Sequence, residues 1–119
     1  MADAKKYRWT ELEVDRPMEL LDRRRIIGDR MMISQVCLHR GCDVPMHAHE
    51  NEQFAMVMSG RVRFGLGGAG GAAVREVVLT AGEVLHLPSR VPHSAYAEEE
   101  TIVLDVFSPP SEKTGIDRT

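Results

Sequence analysis

The sequence predicts an all-β domain of the jelly-roll type, built as a barrel or a two-sheet sandwich. Roughly seven to ten short segments have the composition of β-strands, several with apolar and polar residues in alternation, and turn residues separate them. Little helical periodicity is present anywhere. The chain has 119 residues, of which 43% are hydrophobic, and this suits a single domain around one buried core.

The two ends of the chain are expected to lie outside the barrel. Residues 1–6 have nothing to bury and are predicted to form a disordered tail, and residues 112–119 a C-terminal tail. Residues 7–16 contain scattered aromatic and apolar residues and are predicted to form an N-terminal arm or edge strand. Pro17 should close this segment, because proline cannot donate a hydrogen bond to a sheet.

The middle of the chain is expected to contain the core strands. Leu20–Ile27 and Met31–His39 have strand patterns, and Ser59-Gly60 is predicted to turn a hairpin between the segment before it and Arg61–Gly67. The glycine-rich run 65–73 lacks the Lys-Ser/Thr of a phosphate-binding loop, so it is predicted to be a flexible hairpin tip.

A candidate metal site lies between Gly41 and Gly60. His47, His49 and Gln53 are separated by even numbers of residues, so in an extended segment their side chains would project from one face. Glu52 would turn away from that face. The pattern therefore predicts Gln53, rather than Glu52, as the ligand that accompanies the two histidines.

His93 is predicted to complete this site. It follows an apolar strand, a turn at Pro88 and a second entry into the barrel, and a strand beside the first would bring it near the other histidines. Three imidazoles and one amide oxygen suit one divalent transition metal, Zn, Ni, Fe, Mn or Cu, with positions left for water or substrate. Tyr96 should face away.

The composition argues against several partners and locations. The formal net charge is -3 and the pI is about 5.9, which gives no electrostatic reason to expect nucleic acid or an anionic membrane as partner. The N-terminal residues lack a signal-peptide pattern, and no apolar run approaches the length of a membrane span. We expect a soluble, cytoplasmic protein.

The two cysteines allow two interpretations. In a reducing cytosol, Cys37 and Cys42 should be free thiols. Alternatively, they could join His47 and His49 in a structural zinc site. The first interpretation is favoured, because structural zinc sites use more closely spaced cysteine pairs.

Two motifs make the chain resemble the cupin superfamily. The first, G-x5-H-x-H-x3,4-E-x6-G, is matched from Gly41 to Gly60, with Gln53 in the place of the glutamate. The second, G-x5-P-x-G-x2-H-x3-N, is matched at Gly82, Pro88 and His93, whereas arginine and alanine replace its second glycine and its asparagine. The resemblance implies a double-stranded β-helix with a metal in its mouth, and a homodimer formed through N-terminal strands.

Within the superfamily, the chain is similar to two groups. These are the small cupins related to the pectin-degradation protein that linearises unsaturated uronates, and the cupin polyketide cyclases, which use histidines and a glutamine. Glu52-Gln53 and the run Asp105–Pro110 carry the likeness. The uronate group usually continues with arginine after the second proline, where this chain has Ser111.

The ligand set favours an enzyme that uses its metal as a Lewis acid. Because Gln53 is uncharged, the ion would keep its full charge and could polarise a small oxygenated substrate in an isomerisation, tautomerisation, cyclisation or lyase step. A cupin dioxygenase is the first alternative, although the common iron site has two histidines and a carboxylate. The second alternative is a non-catalytic module that binds a metal and a small ligand.

Asp105 is the candidate for proton transfer, because it is a carboxylate in an otherwise apolar strand. The alternative is a structural hydrogen bond to a backbone turn, Arg61 or Arg63. His39 and His86 could be an additional ligand or could hold another ligand in place, but an isolated strand histidine is more often just hydrogen-bonded in place. A substrate pocket is predicted from these residues: Arg61, Arg63, Phe107, His39 and His86.

Overall fold

Ten β-strands form the fold in the computed structural model, which describes residues 3–68 and 73–116. The tip of the predicted glycine-rich hairpin and the outermost residues of both predicted tails lie outside the described residues. The strands are β1 Asp15–Met18, β2 Leu21–Ile27, β3 Met32–Leu38, β4 Asp43–His47, β5 Glu52–Ser59, β6 Arg61–Gly67, β7 Ala73–Thr80, β8 Val84–Leu87, β9 His93–Ala97 and β10 Thr101–Ser108.

Two antiparallel sheets enclose the core. One sheet has the order β1-β2-β3-β10-β5-β8 and the other the order β4-β9-β6-β7. The strands of each sheet come from distant parts of the chain, as they do in a jelly roll. The predicted all-β fold is therefore confirmed.

The alternation of β3 shows why these residues form a half-buried strand. Met32, Ser34, Val36 and Leu38 are all buried, and the residues between them are more exposed. Side chains alternate between the faces of a strand, so the buried set faces the other sheet. Apolar residues from both sheets meet in this way in one hydrophobic core.

The N-terminal segment contains a short helix before its edge strand. Residues 7–16 hold a short 3₁₀ helix, Trp9–Glu11, and only then the start of β1. Pro17 lies within β1 and does not end it, because β1 is an edge strand and one side of its backbone needs no partner. Among the described residues, no helix has the length and hydrophobicity needed to cross a membrane.

The predicted hairpin at Ser59-Gly60 is also wrong. β5 belongs to the six-stranded sheet and β6 to the four-stranded sheet, so this turn carries the chain from one sheet to the other. Gly60 has a φ of 93°, and a Cβ there would overlap the backbone of Glu100 and Thr101. Only glycine fits this corner without strain.

Candidate metal centre

Three histidines meet at one end of the barrel. His47 is the last residue of β4 and His93 the first of β9, and the two are register partners in the four-stranded sheet. His49 lies in the loop between β4 and β5. The centroid of the His93 ring is 4.3 Å from that of His47 and 5.0 Å from that of His49. One ring nitrogen from each residue lies within 4.8 Å of the other two, so the group could hold a metal ion.

The predicted ligand residues converge for a different reason from the one predicted. His47 and Gln53 do not share a strand, because the segment breaks at residues 48–51 and continues in the other sheet. The side chains therefore approach the centre from two sheets and the loop that joins them. Spacing along a single strand does not explain their convergence.

Backbone carbonyls fix the orientation of all three rings. A carbonyl oxygen only accepts, so each Nδ1 must carry the proton and each Nε2 keeps its lone pair in the neutral ring. Metal-binding histidines are commonly held in this way. The contacts are His47 Nδ1 to Pro45 O at 2.8 Å, His49 Nδ1 to Asn51 O at 3.0 Å and His93 Nδ1 to Val91 O at 2.9 Å.

Burial keeps two of the rings neutral. Burial lowers the pKa of His93 to about 4, although its hydrogen bond to Val91 acts in the opposite direction. The pKa of His47 is also lowered, again mainly by burial. Both rings therefore have a lone pair to donate at neutral pH.

Gln53 directs its carbonyl oxygen at the histidines. Its Nε2 donates to Asp105 Oδ1 at 2.9 Å, which leaves Oε1 3.1 Å from His49 Nε2. With the His49 proton on Nδ1, both atoms of that contact are acceptors. Two ligands bound at right angles to one ion at ordinary bond lengths lie about 3.0 Å apart. The donor set and its spacing therefore fit a shared metal ion.

Asp105 accepts a hydrogen bond from the side chain of Gln53. Burial raises the pKa of the Asp105 carboxyl to about 7, while the hydrogen bond from Gln53 acts to lower it. The alternative predicted for Asp105 was a structural hydrogen bond to a backbone turn, Arg61 or Arg63. In the structure, the hydrogen-bond partner of Asp105 is Gln53. A carboxyl with a pKa near neutrality can both donate and accept a proton under physiological conditions.

His47, His93 and Asp105 border a largely apolar cavity, whose volume is about 500 Å³ when the open solvent at its mouth is counted. No lysine or arginine side chain lines this cavity in the part of the chain that the structure describes. Its polar lining consists of His47, Gln53, His93, Asp105 and Thr114, and its apolar lining of Leu21, Val36, Leu38, Val44, Val62, Phe64, Ala95, Val103, Phe107 and Ile116.

Of the residues predicted to line a substrate pocket, Phe107 borders the cavity. Its ring meets His49 nearly edge-on at 5.7 Å between centroids. Arg61 and Arg63 do not line it, because both pair with Glu98, at 2.8 and 3.0 Å. Arg63 also lies over the ring of Tyr96, which is exposed and faces away from the histidines, as expected.

His86 and His39 also lie outside the cavity. His86 Nε2–H donates to Glu52 Oε2 at 2.7 Å, and the His86 ring stacks on Phe54, so Glu52 turns away from the metal site, as its position in the strand predicted. His39 contacts Asp22 and Glu100 instead. Neither histidine is brought to the three that form the candidate centre.

The cysteine alternative is not formed. Cys42 is buried, and its thiol donates to the backbone oxygen of Glu19 at 3.7 Å. Burial raises the pKa of this thiol to about 11, which makes it a poor nucleophile. Both cysteines are free thiols, and neither belongs to the group that His47 and His49 form with His93.

The C-terminal segment contributes to the site, which the sequence did not indicate. Thr114 and Ile116 line the cavity, and Gly115 packs against the ring of His47. Asn51 is buried and donates to Pro109 O, which ties this segment to the histidine loop. Ile116, an apolar residue in an otherwise polar tail, is the feature of the sequence that could have indicated this contribution.

Comparison with known proteins identifies the family. The family model described as "Cupin domain" matches residues 34–107, well over half of the chain. The chain belongs to the cupin superfamily. No curated protein matches it.

Solved structures agree with this fold. An RmlC-like cupin from Shewanella frigidimarina NCIMB 400 is 24% identical with a TM-score of 0.81, over 92% of this chain and 95% of that one. KdgF from Halomonas sp. is 23% identical with a TM-score of 0.82, over 92% and 97%. Oxalate decarboxylase from Bacillus subtilis is 20% identical with a TM-score of 0.81, over 96% of this chain but 32% of that one. Because the sequence identities are below 25%, these likenesses show a shared fold and nothing finer.

Proposed function

We propose that this cupin is a metal-dependent enzyme that moves a proton on a small oxygenated substrate, in an isomerisation, tautomerisation, cyclisation or lyase step. The observation that carries the proposal is the arrangement of four donors and one acid. His47, His49 and His93 present Nε2 atoms, Gln53 presents Oε1, and Asp105 lies directly behind Gln53.

These four residues would hold one divalent transition metal. Zn, Ni, Fe, Mn and Cu all accept such a donor set, and the Bacillus subtilis oxalate decarboxylase has Mn(II) centres. Because the donors are uncharged, a bound metal would retain its full charge and act as a Lewis acid that polarises an oxygen of the substrate.

Asp105 would supply the proton transfer. With a pKa raised to about 7 by burial, its carboxyl group is present in both forms at neutral pH, so it can accept a proton from the substrate and return it elsewhere. Gln53 Nε2 holds Oδ1 of this carboxyl in place at 2.9 Å. Thus the Gln53 amide would bind the metal through its oxygen and orient the acid–base group through its nitrogen.

The cavity favours a substrate with an apolar body. Its walls are mostly aliphatic and aromatic, and its polar groups are gathered beside the histidines. Since no lysine or arginine from the described residues lines it, a substrate with several negative charges would find no protein cation there. Ser111, in place of the arginine usual in the uronate group, agrees with this inference.

A second copy of the chain is our proposed partner, through the N-terminal strands. β1 is one of the two edge strands of the six-stranded sheet, and an edge strand leaves backbone groups free to pair with another chain.

Hydrogen exchange tests the proposed function before the substrate is known. Protein loaded in turn with each metal is mixed in deuterated water with small 2-oxo and β-dicarbonyl compounds, and proton NMR follows exchange at the carbon beside the carbonyl. We expect wild-type protein to catalyse exchange for at least one compound. Asp105→Asn should slow it by roughly 10²- to 10⁴-fold, the usual contribution of a general acid–base group.

Two outcomes would contradict the proposal. Oxygen consumption coupled to loss of a compound, without exchange, would favour the dioxygenase alternative. Tight binding of metal and compound, with neither exchange nor oxygen consumption, would favour a non-catalytic binding module.

A further inference from the structure

A second group of donor atoms lies on the face of the six-stranded sheet that points away from the cavity. Val36 and Leu38 line the cavity, so Cys37 between them projects to the other face. Its Sγ lies 3.9 Å from His39 Nδ1 and 3.9 Å from Glu100 Oε1, and the latter two atoms are 3.0 Å apart. We call Cys37, His39 and Glu100 the outer cluster.

The backbone holds the outer cluster in a fixed place. Cys37 lies in β3, between β2 and β10, in register with Asp22 and Ile102. The backbone N–H of His39 donates to Leu20 O at 2.8 Å, and Glu100 directly precedes β10. The donor atoms therefore meet at one end of β3 and β10, because Cys37 lies within β3, His39 directly follows β3 and Glu100 directly precedes β10.

Asp22 orients the imidazole of His39. The His39 Nε2–H donates to Asp22 Oδ2 at 2.8 Å, and Arg16 Nε donates to the other oxygen of Asp22 at 2.9 Å. A carboxylate on one ring nitrogen directs the other nitrogen to the opposite side, as it does for metal-bound histidines. Nδ1 therefore faces the thiol and the carboxylate of the outer cluster.

We propose that Cys37, His39 and Glu100 bind a thiophilic divalent cation of the zinc class, with Asp22 as the residue that positions His39. In a tetrahedral zinc site, a sulfur ligand lies about 3.5 Å from a nitrogen or oxygen ligand, and nitrogen and oxygen lie about 3.3 Å apart. The observed separations differ from these values by about 0.4 Å or less, a shift that side-chain rotation can supply. Glu100 is 67% exposed, so water can fill the remaining position.

Binding at the outer cluster exchanges protons for the metal. The Cys37 thiol gives up its proton to become a thiolate, and His39 gives up any proton on Nδ1, both to solvent. The carboxylates of Asp22 and Glu100 face this position, and Arg16 is the cation bound to Asp22. The negative side chains of the outer cluster and of Asp22 would attract a cation.

A sulfur donor distinguishes the outer cluster from the candidate site inside the barrel. The inner donors are nitrogen and oxygen, whereas the outer cluster adds a thiolate, which selects softer metals. A Co²⁺ ion bound to thiolate has an ultraviolet sulfur-to-metal charge-transfer absorption that a site without sulfur lacks. Co²⁺ therefore reports the outer cluster even when both sites are filled.

The test is a titration of chelator-stripped, full-length protein with CoCl₂ under a phosphine reductant. Wild-type protein should show the charge-transfer absorption, and Cys37→Ser should lose it. Cys42→Ser is the matched control, because the buried Cys42 thiol donates to a backbone carbonyl, and it should keep the absorption. The His47→Ala/His49→Ala variant should also keep the absorption. An absorption missing from wild-type protein, or retained in Cys37→Ser, would overturn the proposal.

Measurements of Co²⁺ affinity test the roles of Glu100 and Asp22. Glu100→Gln should weaken Co²⁺ binding at least about tenfold, and Asp22→Ala about 10- to 100-fold, with the shape of the absorption at saturation unchanged for Asp22→Ala. Both residues are accessible enough for these variants to fold. Wild-type affinity in both variants would show that Cys37 binds cobalt without this cluster, and the assignment would be wrong.

Discussion

In this cupin, the pKa values of the histidines inside the barrel and of the histidine on its outer face are shifted in opposite directions by their surroundings. His47 and His93 lie inside the barrel, donate through Nδ1 to carbonyl oxygens, and have lowered pKa values because they are buried. His39 lies on the outer face between Asp22 and Glu100, and its pKa is raised, first by the hydrogen bond to Asp22 and then by that to Glu100.

This difference shows that the acceptor and the degree of burial decide what a histidine does. A carbonyl in a buried site fixes the tautomer without adding charge, so the ring stays neutral and its Nε2 is available to a metal. A carboxylate stabilises the protonated ring instead. A metal at the outer cluster must therefore compete with a proton that the inner site does not hold at neutral pH.

The largest expected effect is the loss of the inner metal. In a Cys37→Ser background, which removes the thiol of the outer cluster, His47→Ala/His49→Ala should contain no stoichiometric metal by elemental analysis while its far-ultraviolet circular dichroism stays that of a β protein. His86→Ala is the control, since His86 pairs with Glu52 outside the cavity, and it should keep the metal. Stoichiometric metal in this triple variant would refute the inner site.

The next largest effect separates the two roles of Asp105. Asp105→Ala removes the acceptor for Gln53 Nε2, and metal affinity measured by calorimetry should fall about 10- to 100-fold, as it does when a group that orients a ligand is lost. Asp105→Asn keeps an acceptor oxygen, so its metal affinity should stay within a few fold of wild type while hydrogen exchange slows by roughly 10²- to 10⁴-fold. Equal loss of affinity in both variants would show that an amide oxygen at this position cannot hold Gln53.

A smaller effect is expected from two glycines with nearly the same backbone conformation. Gly115 has a φ of 92° and Gly82 a φ of 89°, so an alanine at either costs about 1 kcal/mol in backbone strain. A Cβ at Gly115 would also overlap the His47 ring, whereas one at Gly82 meets nothing within 4 Å. Both variants should melt at lower temperature, but Gly115→Ala alone should lose about tenfold in metal affinity. Unchanged affinity would separate the C-terminal segment from the site.

The smallest effect concerns the pH dependence of stability in metal-free protein. Because the pKa of His39 is raised in the folded state, its stabilising effect is complete below the unfolded value of 6.5 and is lost as pH rises through the folded value. The side chain is 34% exposed, so the effect should not exceed about 1 kcal/mol. Urea unfolding of wild type and His39→Gln should differ most below pH 6.5 and converge at alkaline pH. A difference that grows with pH would contradict this assignment.

The fold was predictable because alternation and turn residues are local features of the sequence. β2 and β3 lie within about one residue of their predicted bounds, and both motifs supply residues to the candidate site. The pairing of strands was not predictable in the same way. The turn at Gly60 resembles a hairpin in sequence, and only the pairing of β5 and β6 with strands of different sheets shows that it joins the two sheets.

The rest of the site depended on contacts between residues that are distant in sequence. Gln53 and Asp105 are 52 positions apart, so no spacing rule predicts that one orients the other. Arg61 and Arg63 pair with Glu98 because β6 and β9 are neighbours, a fact that belongs to the topology. The outer cluster likewise forms only because the fold brings Glu100 beside β3, although Glu100 and His39 are 61 positions apart in the sequence.

The most direct test of the account is X-ray diffraction at the absorption edge of the metal, from crystals of the Cys37→Ser protein loaded with one divalent metal. The account predicts an anomalous peak about 2.0–2.2 Å from Nε2 of His47, His49 and His93 and from Oε1 of Gln53. A peak bonded through Nδ1 of these rings, or one beyond bonding distance of Gln53, would contradict it.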